Sequence, residues 1–90
     1  IMPGVVVMPR ASLGAYCTLE AGVRIGAGAH VGEAAHLGVG AMVRDGVRVG
    51  HRALVGMGSV VLGDVPDDQI WAGVPARPLR RRTHAGRGRP

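Results

Sequence analysis

The sequence predicts an all-β fold: a parallel β-helix of three to four triangular coils followed by a C-terminal extended arm. Three observations predict it. Every sixth residue from Ile1 is a branched aliphatic: Ile1, Val7, Leu13, Leu19, Ile25, Val31, Leu37, Val43, Val49, Val55 and Val61. Every sixth residue from Val5 is small or Val: Val5, Ala11, Cys17, Val23, Ala29, Ala35, Ala41, Val47, Ala53, Ser59 and Val65. Gly follows the large aliphatic at Gly14, Gly26, Gly32, Gly38, Gly50 and Gly56, and 16 of 90 residues are Gly, against an ordinary share of ~7 %.

A period of six is neither the 3.6 of a helix nor the 2 of a flat strand. A large and a small side chain point inward two positions apart, and a turn follows. Glycines are expected to give those turns positive φ without steric cost. Three strands and three turns close a coil of about eighteen residues, and stacked coils pair as parallel strands. Leu13, Val31 and Val49 then form one inward column, and Leu19, Leu37 and Val55 another. Gly26-x-Gly28, Gly38-x-Gly40 and Gly56-x-Gly58 lack the third Gly of a dinucleotide-binding loop and read as corners.

The elements follow in order. Residues 1–65 are the hexapeptide-repeat β-helix. Residues 66–79 form a capping loop, a short strand at Gln69-Ile70-Trp71-Ala72 and a Pro-rich arm, because Pro66, Pro75 and Pro78 offer no ladder amides. Trp71 is expected to cover the open end of the last coil. Residues 80–90, "RRRTHAGRGRP", read as a basic disordered tail. Because the pattern is already running at Ile1, an N-terminal part is expected upstream.

Charge and composition exclude several classes. The formal net charge is +5, but six of the eleven Arg lie after residue 76 and the body is near neutral. Tyr16 and Trp71 are the only aromatics, too few for base stacking, so no nucleic-acid partner is expected. No apolar run approaches the ~18 residues that cross a bilayer, so no membrane partner is expected. Cys17 is single and sits at an inward small position; it reads as buried filler in a reducing, cytoplasmic protein.

Two histidines stand six apart in "HVGEAAHLGVGA", residues 30–41. His30 precedes inward Val31 and His36 precedes inward Leu37. Both therefore point outward, from neighbouring walls of the prism, and do not form a metal site. Glu33 and Asp45 are corner carboxylates able to orient a histidine across a subunit boundary. His51 is a surface corner residue, and His84 lies in the tail with no role.

The segments "IMPGVVV", "AHLGVGAMVRDGVRVG", "LVGMGSVVLGDVP" and "AGVPARPL" occur in the order found in a known superfamily. The chain resembles the left-handed β-helix (hexapeptide-repeat) acyltransferases, above all the C-terminal domain of sugar O- and N-acetyltransferases of the sialic-acid and bacillosamine type. The resemblance implies a left-handed coil, a homotrimer, acetyl-CoA as co-substrate, no metal, and an N-terminal nucleotide-sugar domain. It implies transfer of an acyl group to a hydroxyl or amine of a sugar or nucleotide sugar. His36 matches the histidine that contacts the thioester region in the family. The family's base position is Ala27, which cannot take a proton. His36 is therefore the catalytic candidate, with His30 the alternative base. Met57, Gly58, Gly73, Ala76 and Arg77, together with His36, are the candidates for binding acetyl-CoA. Ala27 also motivates a rival reading, a catalytically inert β-helix acting as a trimerisation scaffold. A histidine-lined metal prism like the γ-carbonic anhydrases lacks its third histidine.

Overall fold

The structure is a computed structural model that describes residues 2–82, and these residues contain twelve strands and no helix. One wall of the prism is β1 (Val6–Val7), β4 (Arg24–Ile25), β7 (Met42–Val43) and β10 (Val60–Val61). The second is β2 (Ser12–Leu13), β5 (His30–Val31) and β8 (Arg48–Val49). The third is β3 (Thr18–Leu19), β6 (His36–Leu37) and β9 (Leu54–Val55), continued by β11 (Gln69–Ala72) and β12 (Arg77–Arg81). The first ten strands pair in parallel at a spacing of one coil: His30 lies between Ser12 and Arg48, and His36 between Thr18 and Leu54. The expected β-solenoid of about four turns is the observed fold.

The core is the two inward series. Leu19, Ile25, Val31, Leu37, Val49, Val55 and Val61 are fully buried, as are Ala29, Ala41 and Ala53. A small side chain beside each large one lets three walls converge on a narrow axis. Burial of each large aliphatic contributes roughly 1.5–3 kcal/mol. Cys17 is half-buried against this core rather than sealed within it. No helix among the described residues is long and apolar enough to cross a membrane.

Two expectations need correction. The glycine after each inward aliphatic does not supply the positive φ. That conformation falls two residues later, at Gly22, Gly28, Gly40, Gly46 and Gly58, and at the non-glycines Arg10, Tyr16, Ala34, Arg52 and Asp68. Each is the third residue of a turn such as Gly26–Ala29, closed by Ala29 N–H donating to the Gly26 carbonyl at 3.1 Å, which is the type II requirement. Gly38 is glycine for a different reason: a Cβ there would stand 2.7 Å from the backbone nitrogen of Met57 in the next coil.

The six-residue register also does not reach Val65. Val65 bridges Val49, sixteen residues back, and so takes a large-column position. The chain has lost two residues between Val61 and Val65. The Asp64 carboxylate compensates by accepting the Arg48 N–H at 3.0 Å. The shortened spacing persists, with Ile70 opposite Leu54 and Trp71 opposite Val55, so the indole tops the Leu19–Leu37–Val55 column.

The arm is more ordered than its prolines suggest. β12 folds back antiparallel on β11, with a register shift between Ile70 and Trp71. Arg80 and Arg81, read from sequence as disordered tail, belong to this strand. Arg82 is anchored too: its N–H donates to the Asp68 carbonyl and its Nη1 to the Arg52 carbonyl. The rest of the tail, with His84, and Ile1 lie outside the described residues.

Candidate functional site

On the outer face of the third wall, His36 points out of β6, half-buried. Its Nε2 lies 2.6 Å from Glu20 Oε2, and the two side chains are 34 % and 35 % exposed. Glu20 directly follows β3, one coil away. The pair is the diagonal of a parallel ladder, a spacing of sixteen, or one coil less two. The sequence reading missed Glu20 because it compared residues only in multiples of six; the diagonal was the available signal. An ionised carboxylate accepts and cannot donate, so the neutral imidazole carries its proton on Nε2. Nδ1 then holds the free lone pair, and it has no hydrogen-bond partner among the described residues.

Beside the His36 column runs a second outward column: Glu20, Gly38, Gly56 and Ala72. Its two middle members have no side chain, because a Cβ at Gly38 would meet Met57 backbone and one at Gly56 would meet the Ala72 Cβ at 3.0 Å. The result is a strip floored by backbone, running from the Glu20–His36 pair toward the C-terminal turn. Met57 stands at its corner, 77 % exposed, and Gly58 N–H donates to the Val39 carbonyl at 2.8 Å.

The turn after β11 closes over that corner. Gly73 N–H donates to Ser59 Oγ at 3.0 Å, Val60 N–H to the Gly73 carbonyl at 3.0 Å, and Ala76 N–H to the Val60 carbonyl at 2.8 Å. Ser59 is fully buried and Ala76 is 5 % exposed. The "GMGS" and "GVPAR" segments are thus held together, with Arg77 exposed at the start of β12. Met57, Gly58, Gly73, Ala76 and Arg77 are gathered at the C-terminal end of the third wall, while His36 in β6 lies toward its other end, with β9 and β11 between it and β12.

His30 is not part of this group. It lies on the second wall, where its Nδ1 contacts Ser12 Oγ at 2.5 Å. Ala27 is a corner residue whose N–H donates to Asp45 Oδ1 at 2.9 Å. His51 is likewise used structurally: the Glu33 backbone N–H donates to its Nδ1, and its own backbone N–H donates to Asp67 Oδ1, each at 2.8 Å. At the same edge Asp68 holds Arg52 through Nε at 2.8 Å and Nη2 at 3.2 Å. Hydrogen bonding to Asp68, then its charge, raises the guanidinium pKa above its ordinary value. The described residues contain no group of three metal-ligating side chains.

No family model matches the chain. A serine acetyltransferase of Synechococcus elongatus is 35 % identical over 86 residues, covering 87 % of this chain and 35 % of that protein. The serine acetyltransferase structure of Neisseria gonorrhoeae has a TM-score of 0.80 at 33 % identity, covering 84 % of this chain and 33 % of its own. An N-acyltransferase from Bacillus cereus, solved with dTDP-4-amino-4,6-dideoxyglucose and coenzyme A, has a TM-score of 0.85 at 13 % identity. It covers 92 % of this chain and 59 % of its own and shares the fold. The chain spans about a third of the length of the curated relative, at 35 %. Serine and amino-sugar transferases both stand among these likenesses, so they do not single out the sugar-modifying branch. With its hexapeptide repeat, its three-walled prism and these relatives, the chain belongs to the hexapeptide-repeat β-helix acyltransferase superfamily.

Proposed function

We propose that the chain is the catalytic β-helix of an acetyl-CoA-dependent acyltransferase acting on a hydroxyl or amine of a sugar or nucleotide sugar. The observation that carries this reading is the Glu20–His36 pair at the end of a backbone-floored strip leading to Met57 and the Gly73–Ala76 turn. Glu20 fixes the imidazole tautomer and orientation and stabilises the imidazolium that forms. His36 Nδ1 takes the proton from the acceptor as its oxygen or nitrogen attacks the thioester carbonyl; the same proton then passes to the leaving sulfur. The strip accommodates an extended thioester arm, and Arg77 meets its phosphates. The base thus moves from the corner, where Ala27 stands, to the wall.

The reading includes a homotrimer in the cytoplasm, with no nucleic-acid or membrane partner. The outer face of the first wall supports self-association. Val6, Met8, Met42, Val60 and Leu62, with Arg24 and Arg44, surround a shallow depression of about 280 Å³. A sedimentation mass of one chain would refute the trimer.

Thiol release from acetyl-CoA, with amino sugars, nucleotide sugars and serine as acceptors, tests the chemistry. His36→Asn is expected to lose ~10²–10⁴-fold in rate, the usual share of a general base, and Glu20→Gln to fall between that variant and wild type. No calorimetric heat with millimolar acetyl-CoA would overturn the reading. The inert-scaffold reading is favoured by Ala27. It predicts thiol release in Ala27→His and none in wild type.

A further inference from the structure

We propose a second reactive centre on the second wall: Ser12 is a nucleophile activated by His30, and it accepts an acyl group from a small activated ester or thioester. Ser12 and His30 occupy successive rungs of one outward column, in β2 and β5. Ser12 Oγ lies within hydrogen-bond reach of His30 Nδ1. This is the relation between a hydroxyl nucleophile and its base. It is the only contact between a hydroxyl and an imidazole among the described residues. Ser12 is exposed, and its neighbour on the outward side of the strand is Gly14, so no side chain there obstructs approach. Arg48 fills the next rung beyond His30. Arg48 is thus two rungs from Ser12, with His30 between them. Two polar residues stacked in a ladder also bond for purely structural reasons. Here, however, the hydroxyl is open to solvent and the backbone ladder is complete without it: Ser12 N–H donates to the Ala29 carbonyl at 2.9 Å.

In the step, Ser12 Oγ bonds to the acyl carbon while its proton moves to His30 Nδ1. The carbonyl oxygen carries the developing negative charge at this solvent-exposed face. Collapse breaks the carbon–oxygen or carbon–sulfur bond to the leaving group, which takes the proton back from His30. The products are O-acyl-Ser12 and a free alcohol, phenol or thiol, with no oxidant or reductant involved. The centre lies on a different wall from His36 and does not depend on it.

The test uses the full chain and p-nitrophenyl acetate, so its outcome is independent of acetyl-CoA binding. The expected result is a burst of one phenolate per chain, with a single acetyl mark placed on Ser12 by fragment sequencing. Ser12→Ala should abolish the mark, and His30→Ala should slow it by ~10²–10⁴-fold. His36→Asn should leave it unchanged. Unaltered far-UV circular dichroism in each variant separates lost chemistry from lost fold. A mark removed by neutral hydroxylamine and mapped to Cys17 overturns the proposal. So does equal labelling of wild type and His30→Ala, or no stable mark at all.

Discussion

Alanine at Gly38 and alanine at Gly40 separate two reasons for glycine that the sequence presents as one. At Gly40, φ is +72° and a Cβ would meet nothing within 4 Å. Left-handed backbone costs Ala ~1–2 kcal/mol, and a stiffer unfolded chain offsets ~0.4–1 kcal/mol of that. The net loss is therefore about 0.5–1 kcal/mol. At Gly38 a Cβ would lie 2.7 Å from Met57 N and 3.0 Å from Met57 Cα. Those are backbone atoms of the next coil, which cannot swing aside as a side-chain tip would. Overpacking of this kind costs ~1–3 kcal/mol. The unfolded-chain offset is common to both variants, and a backbone clash under 3.0 Å belongs in the upper part of the overpacking range. Gly38→Ala should therefore be the less stable variant by about 0.5–1 kcal/mol, which in a domain of this size lowers Tm by roughly 4–8 °C per kcal/mol. Urea unfolding followed by far-UV circular dichroism, at one protein concentration, measures both. The converse substitution, Ala34→Gly at φ +59°, should be neutral or stabilising. If Gly38→Ala proves as stable as Gly40→Ala, the close-approach account of the post-aliphatic glycines is wrong.

Three further outcomes follow from the packing. Leu37→Ala empties a fully buried position in the third-wall column and should cost ~2–5 kcal/mol by denaturant titration. Ser59→Ala removes the acceptor of Gly73 N–H. It should cost ~0.5–1.5 kcal/mol and make the C-terminal arm cleave faster in limited proteolysis. Arg52→Gln breaks the contact with Asp68 that raises the guanidinium pKa. A raised folded-state pKa gives stability that is full below the unfolded value and lost only as pH rises through the folded one, here beyond the neutral range. The variant's Tm deficit should therefore be equal at pH 6 and pH 9; a deficit that disappears by pH 9 would show another titrating group at work.

The placement of the two histidines could be read in the sequence and their contacts could not. The repeat places His30 and His36 on neighbouring walls, as found, because outward position follows from counting in sixes. The partner of His36 did not follow. Glu20 meets it along a ladder diagonal, and a diagonal contact depends on how coils stack, not on the period within one. The resemblance identified Ala27 as a vacant base position; the structure adds that its amide serves the corner by binding Asp45. "GMGS" and "GVPAR" were separate candidates in sequence, and Ser59 and Val60 join them.

By itself the sequence determined the parallel solenoid, its inward columns and its corners. These depend on local alternation of large, small and turn residues, which every coil repeats. Only the tertiary structure decided where the register shortens, which glycines turn and which merely make room, and that the arm returns as a strand through Arg81. These depend on the spacing between neighbouring coils and on hydrogen bonds such as Asp64 to Arg48, which no single repeat contains.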